Sequence, residues 1–437
     1  MSRAHKFDVI VAFLSSARFL TVLASASIGV AAFAFALRQL TGWAGLITMI
    51  GALSLIWGFV LYAKRGEIEW TGLLPISLLA FVGWAMLSLF WSNYQWASLG
   101  SLAYWGGFTL IAIATSLLRD SIQLVRAFGD VLRFGIALSL ALEIFAGVLI
   151  DSRIKLLQIA GNIASLGPIQ GVFGTRNQLG VVSIIALVTF MIELRTKSIR
   201  KGVAIGSLIG AALSLALSQS PVAIGTALVV GVAAAVLYGL RKVQPSNRRF
   251  WNIAIFGTAV LIVVAGWVFR SPLIQLLDAT KELDYRLNLW RRIRSLLSAH
   301  PIEGWGWIGS WRLEIVPYLG FRNLPGGAPS SAASGYLDVL LQLGIVGFAL
   351  FLLLIGLAFL RSWLLAVQRR SVVFTWPALI LLALIIASLA ESSVLGEFCW
   401  LTLIVCTVKA SREMSWRQAF VVAPSKPELP RTHDQPI

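Results

Sequence analysis

Apolar runs of about 20 residues recur almost from one end of this chain to the other. Wound as a helix at about 1.5 Å per residue, such a run matches the roughly 30 Å hydrocarbon core of a bilayer. Inside lipid the backbone N–H and C=O groups have no water to bond, so a continuous apolar segment must satisfy them within itself as a helix. The predicted fold class is therefore all-α: a polytopic membrane protein with about 12 transmembrane helices and one large external loop between spans 9 and 10. The spans fall near 19–37, 44–63, 72–91, 96–118, 128–150, 178–194, 202–218, 221–240, 251–269, 336–360, 374–389 and 394–408. Charged residues make up 13% of the chain, about half the share in soluble domains.

The net charge of +17 admits two readings. One is nucleic-acid binding, but no motif of that kind is present. The other is membrane topology, because most Lys and Arg lie in short connections between spans. Arg195, Lys197, Arg200 and Lys201 fill one connection, and Arg361, Arg369 and Arg370 another. The short connections that alternate with these carry almost none. The positive-inside rule then puts both termini in the cytoplasm and segment 270–335 outside. A retained first helix is expected, and residues 411–437 read as a disordered cytoplasmic tail. Cys399 and Cys406 share the last apolar run, and His5, His300 and His433 are scattered. No disulfide framework and no metal site is predicted. No internal repeat supports an inverted-repeat transporter.

Segment 270–335 is the one long polar island, with eight Lys/Arg and five Asp/Glu. Residues 284–299 read as a helix with Leu289, Trp290, Ile293 and Leu297 on one face and Arg286 in the middle of it. Arg291, Arg292 and Arg294 fall on the flanks or the far side. A guanidinium inside an apolar stripe needs a partner. Either a loop acid such as Asp284 or Glu282 supplies it, or a bound anion such as phosphate does. Residues 301–311 (PIEGWGWIGSW) read as a turn whose Trp305 and Trp307 stack on sugars or sit in the membrane interface. His300 is a base candidate or a structural residue. Arg176 and Asn177 open a span, where phosphate can also meet helix N-terminal amides. Arg133, Glu143 and Glu397 lie within spans and Glu391 at the external end of one, and all need partners.

Four stretches together resemble the O-antigen ligase and polymerase superfamily of membrane glycosyltransferases. They are GVFGTRNQLG at 171–180, LALSQS at 215–220, DYRLNLWRRIRSLLSAHPIEGWGWIGSW at 284–311 and SSAASGYLDVLLQLGIVGF at 330–348. The resemblance implies a membrane domain over 1–410 that includes the 270–335 loop. It implies transfer of a glycan from a polyprenyl-diphosphate carrier to an acceptor sugar on the outer face of a bacterial plasma (inner) membrane. The implied partners are the lipid-linked glycan donor, the acceptor glycan, membrane lipids and other polysaccharide-assembly proteins. No cofactor and no nucleic acid is implied. Arg286 and Arg176, with Arg291 and Arg294, would hold the diphosphate, while Trp305, Trp307 and Asn177 would contact glycan. The chain departs from the family pattern at three positions. Ala333 and Ser334 stand where the family has histidine and asparagine, and Pro221 stands where it has arginine. His300, Asp338 and Glu391 are then the candidates for the base. A catalytically degraded relative that binds lipid-linked glycan, and a transporter or flippase, are the alternatives.

The topology is testable with reporter fusions. Fusions after Lys197 and after Arg370 are expected to report cytoplasm, and one after Asn323 the outer side. A cytoplasmic signal at Asn323 would overturn the orientation.

Overall fold

The computed structural model describes residues 14, 16–66, 74–244, 247, 250–251, 253–254, 256–258, 280–324 and 327–413. Among these residues the chain forms helices and no strands. In order they are α1 (Ala17–Ala32), α2 (Ala34–Ala63), α3 (Ile76–Leu87), α4 (Gln95–Leu118), α5 (Ser121–Ile144) and α6 (Arg176–Thr196). There follow α7 (Lys201–Ser218), α8 (Pro221–Lys242), α9 (Thr280–Leu297), α10 (Gly335–Gln368), α11 (Thr375–Ala387) and α12 (Glu397–Glu413). Among the described residues, seven helices are long and apolar enough to cross a membrane, and three shorter apolar ones accompany them. The expected ninth span and the tail beyond 413 lie largely or wholly outside the described residues.

One boundary differs from expectation. The predicted first span, 19–37, crosses a break at Phe33, and α2 then bends at Gly42 (φ 72°, ψ 179°). Hydropathy runs on unbroken through this region, so only the backbone shows the joint. The positive φ at Gly42 is one that a residue with a Cβ rarely adopts.

The core lies around α6 and α12. Every residue of α12 from Phe398 to Ala410 is buried, as expected for a helix that is apolar on all sides. Large apolar side chains such as Val22, Leu55, Phe59 and Leu228 point outward. In a bilayer these face lipid. Lipid removes the hydrophobic drive between helices, so packing and interhelical hydrogen bonds must hold them together. Three indoles supply such bonds: Trp57 Nε1 to Ser27 Oγ (2.9 Å), Trp400 Nε1 to Thr109 Oγ1 (2.9 Å) and Trp376 Nε1 to Thr189 Oγ1 (3.0 Å). Gly180 lets α6 approach α8, since a Cβ there would lie 2.4 Å from the Ala223 methyl. Several cations donate to carbonyls at or just beyond helix C-termini. Arg412 bonds the Leu117 oxygen (2.9 Å), Arg126 that of Ser198 (2.8 Å), and Arg241 those of Ala366 and Arg370. Positive charge there also complements the helix dipole.

The described part of the polar segment, 280–324 and 327–334, is a folded unit. Leu289 and Ile293 of α9 pack with Ile308, Trp311, Tyr318 and Phe321. It docks into a break in α10 at Gly344 (φ 66°, ψ −169°). The break frees backbone groups that the loop then pairs. Trp305 N donates to Leu341 O (3.1 Å), Gly306 N to Gln342 O (2.8 Å) and Ile345 N to Pro301 O (2.9 Å). The Gln342 side chain takes part as well: its Oε1 accepts from Ile308 N and Gly309 N, both at 2.8 Å. Gly304 and Gly344 are required by closeness as well as by φ. A Cβ on Gly344 would sit 2.1 Å from the Ile302 carbonyl oxygen.

Gly344→Ala should therefore cost at least the about 1–3 kcal/mol of a strained backbone position. The expected result is a lower melting temperature together with faster proteolysis between 298 and 312. Unchanged melting would refute the docking role.

Candidate functional site

The site grows from the apolar face of α9. Leu289 and Ile293 are fully buried, which holds Arg286, one turn earlier on the same face, against the bundle with 9% exposure. Its Nη1 donates to Ala333 O (3.0 Å) and to Ala390 O, and its Nη2 meets Glu391 Oε1 at 3.1 Å. The same carboxylate oxygen accepts from Asn177 Nδ2 at 2.6 Å. Asn177 Oδ1 in turn accepts from Ser220 Oγ at 2.7 Å. A single chain of polar contacts thus runs Arg286–Glu391–Asn177–Ser220. It joins α9, the α11–α12 connection, the first turn of α6 and the N-cap of α8.

Local sequence explains each placement. Thr175 caps α6 by accepting from Gln178 N (3.1 Å), which fixes Asn177 in the first turn. Ser220 caps α8 ahead of Pro221, whose ring suits the first helical position. Its hydroxyl accepts from Ala223 N (3.1 Å) while donating to Asn177. The turn at 332–334 is held by Asp338, whose Oδ2 accepts from Ala332 N (3.0 Å) and whose Oδ1 accepts from Trp311 Nε1 (2.7 Å). Gly335 N adds a bond to Ser388 O at 2.9 Å, and a Cβ there would meet Val394 Cγ1 at 2.7 Å.

The expected site residues separate into two groups. Arg286, Asn177 and Glu391 come together, with Arg176 half-buried beside Asn177. An acid that meets Arg286 is Glu391, from far along the chain; of the expected loop acids, the Glu282 side chain lies outside the described residues. Others are placed elsewhere. Asp338 is 1% exposed with both oxygens bonded, so it braces the turn and is not open to an acceptor. Trp307 is 1% exposed and packs 5.0 Å from Trp105, which closes its face to sugars. Trp305 stays half-buried, donates to Leu296 O (3.2 Å) and carries the His300 ring on its edge at 4.5 Å. His300 Nδ1 pairs with Glu303 Oε1 at 2.8 Å, away from the network. Arg291 and Arg294 are exposed on the outer side of α9, and Arg291 contacts Asn288. Sequence reading missed Ser220 as a partner of Asn177. The signal was there, in a serine immediately before a helix-opening proline.

Fold and site together define a multi-pass helical membrane protein with a polar network at one end of its bundle, roofed by a folded loop. Residues 206–352 match the family model described as O-antigen ligase, which supports membership of the O-antigen ligase superfamily. The match supports a membrane protein of polysaccharide biosynthesis, ligase- or polymerase-like and of a glycosyltransferase-like class. It implies a lipid-linked glycan and an acceptor as substrates. The matched region contains Ser220, Arg286 and Ala333 but ends before Glu391. No curated protein matches the chain.

The His300–Glu303 pair gives a pH test. The hydrogen bond from His300 holds the Glu303 carboxyl below its ordinary value. A carboxyl depressed in the folded state adds stability above its unfolded pKa and loses it as pH falls through the folded one. The turn at 300–304 should therefore loosen below about pH 4. His300→Ala should remove that step, read by hydrogen exchange of amides 302–306. An identical pH profile in the variant would count against the pairing.

Proposed function

We propose that this protein transfers a glycan from a polyprenyl-diphosphate carrier to an acceptor sugar on the outer side of a bacterial plasma membrane, as a ligase or polymerase of cell-surface polysaccharide. About 12 spans, cytoplasmic termini and an external loop at 270–335 belong to the same reading. The observation that carries it is the Arg286–Glu391–Asn177–Ser220 network, which unites all but one of the four motif stretches and lies against the turn of the fourth through Ala333 O.

The network suggests its own chemistry. A diphosphate competes with Glu391 for the Arg286 fork, a shape that suits phosphate oxygens. Arg176, next to Asn177, adds charge on the flank. Glu391, freed from its ion pair, accepts the proton of the acceptor hydroxyl. That oxygen bonds to the anomeric carbon while the bond from this carbon to the diphosphate oxygen breaks. The electron pair leaves with the diphosphate, where the guanidinium charge meets it. Position 333 lacks a histidine, but one guanidinium contacts both Ala333 O and Glu391, so a carboxylate stands beside that position. Arg286 is already bonded to two carbonyls and Glu391, which favours a second reading: a relative that binds the carrier without turnover.

Reconstitution with polyprenyl-diphosphate oligosaccharide and an acceptor glycan separates the two. Arg286→Ala is expected to weaken carrier binding about tenfold or more, the loss of a charge-assisted bond. Glu391→Gln should keep carrier binding and lower product formation about a hundredfold or more. Unchanged carrier binding in Arg286→Ala would sink the diphosphate assignment. Carrier binding with no product from the native protein would establish the second reading.

A further inference from the structure

A second polar cluster borders the first. Arg38, on the short segment of α2 before the Gly42 bend, lays its guanidinium over Trp43, 4.8 Å from the ring centroid, and over Phe35 at 5.8 Å. Trp43 is 52% exposed and meets Tyr104 of α4 edge-on at 5.8 Å. Tyr104 donates to Glu397 Oε1 of α12 at 2.7 Å. Three helices far apart in sequence thus assemble a guanidinium, an indole, a phenol and a carboxylate, all at least partly exposed.

The cluster adjoins the loop that leads into the first turn of α6, where Asn177 sits. The Phe35 ring lies under Gly174, where a Cβ would be 2.7 Å from it. Gln178, next to Asn177, reaches Cys399 Sγ at 3.8 Å, two residues beyond Glu397. Gly174 holds φ 87°, so both space and backbone favour glycine at this contact.

The chemistry selects the ligand. Among the described residues the Arg38 guanidinium lies over two rings and makes no hydrogen bond or ion pair. Its donors are therefore available. A half-exposed indole suits the C–H face of a pyranose ring, while a guanidinium, a phenol and a carboxylate suit its hydroxyls. Phosphate fits less well, because Glu397 would repel it. We infer that Arg38, Trp43, Tyr104 and Glu397 form a subsite that binds an uncharged sugar ring of the acceptor glycan. The acceptor assignment rests on the transfer reading above, in which Arg286 holds the diphosphate end of the donor.

The test uses the full chain in lipid nanodiscs and two probes: an array of defined neutral oligosaccharides, and a short-chain prenyl diphosphate. At least one oligosaccharide should bind. Glu397→Gln and Trp43→Ala should each weaken it about tenfold, with prenyl-diphosphate affinity unchanged. Trp43→Phe, which keeps an aromatic face, should recover most of the loss. If Trp43→Ala does not assemble, Arg38→Gln takes its place in the comparison. Failure of every oligosaccharide to bind overturns the subsite. So does a bound oligosaccharide indifferent to these substitutions, which would leave Trp43 as an anchor in the membrane interface. Prenyl-diphosphate binding that is intact in the native protein and lost in Arg286→Ala upholds the donor side independently, so the two proposals can fail separately.

Discussion

The arrangement depends on how one guanidinium is kept out of water. Arg286 sits on an apolar helix face, where a lone charge would cost several kcal/mol. Ala333 O, Ala390 O and Glu391 compensate it together. Breaking a buried pair by removing one partner costs more than the pair contributes, because the other charge is left exposed to a poor environment. The contact therefore couples α9, the 332–334 turn and the α11–α12 connection into one unit. Asn177 and Ser220 extend that unit to α6 and α8.

A second constraint is backbone. Non-helical chain at the end of a membrane bundle is tolerated only where its polar groups are paired. The break at Gly344 and the turn at 301–309 meet this need together, since each supplies the partners the other lacks. This backbone pairing, with the Gln342 side chain, fixes the roof of the site against the bundle. Such fixing is what a transfer reaction needs, because two substrates must be held in register while one bond replaces another. Here the tryptophans of the GWGWIG stretch serve the dock and the core.

The two clusters divide the labour of a glycan-transferring site in the proposed reading. One gathers cation and carboxylate where charge must move. The other offers an aromatic surface and hydroxyl-binding groups where a neutral ring must be held. The short Gly174–Gln178 stretch lies between them: Asn177 belongs to the first cluster, and Gly174 packs on the Phe35 ring beside the second.

Much of this was legible in the chain itself. Apolar run length specified a helical membrane protein, because backbone polarity in lipid leaves few alternatives. The 100° periodicity put Arg286 on the buried stripe with Leu289 and Ile293, since helical geometry is local. That this arginine required a partner followed from the cost of burying charge. Which partner it found did not follow. Glu391 lies 105 residues away, and only packing brings it there. Tertiary structure alone turned Trp307 inward, because the break at Gly344 opened a seat for its loop. It also assigned Asp338 to bracing and brought Arg38, Trp43, Tyr104 and Glu397 together. Hydropathy and periodicity report which side of a helix is apolar. They carry no record of which distant element will cover it.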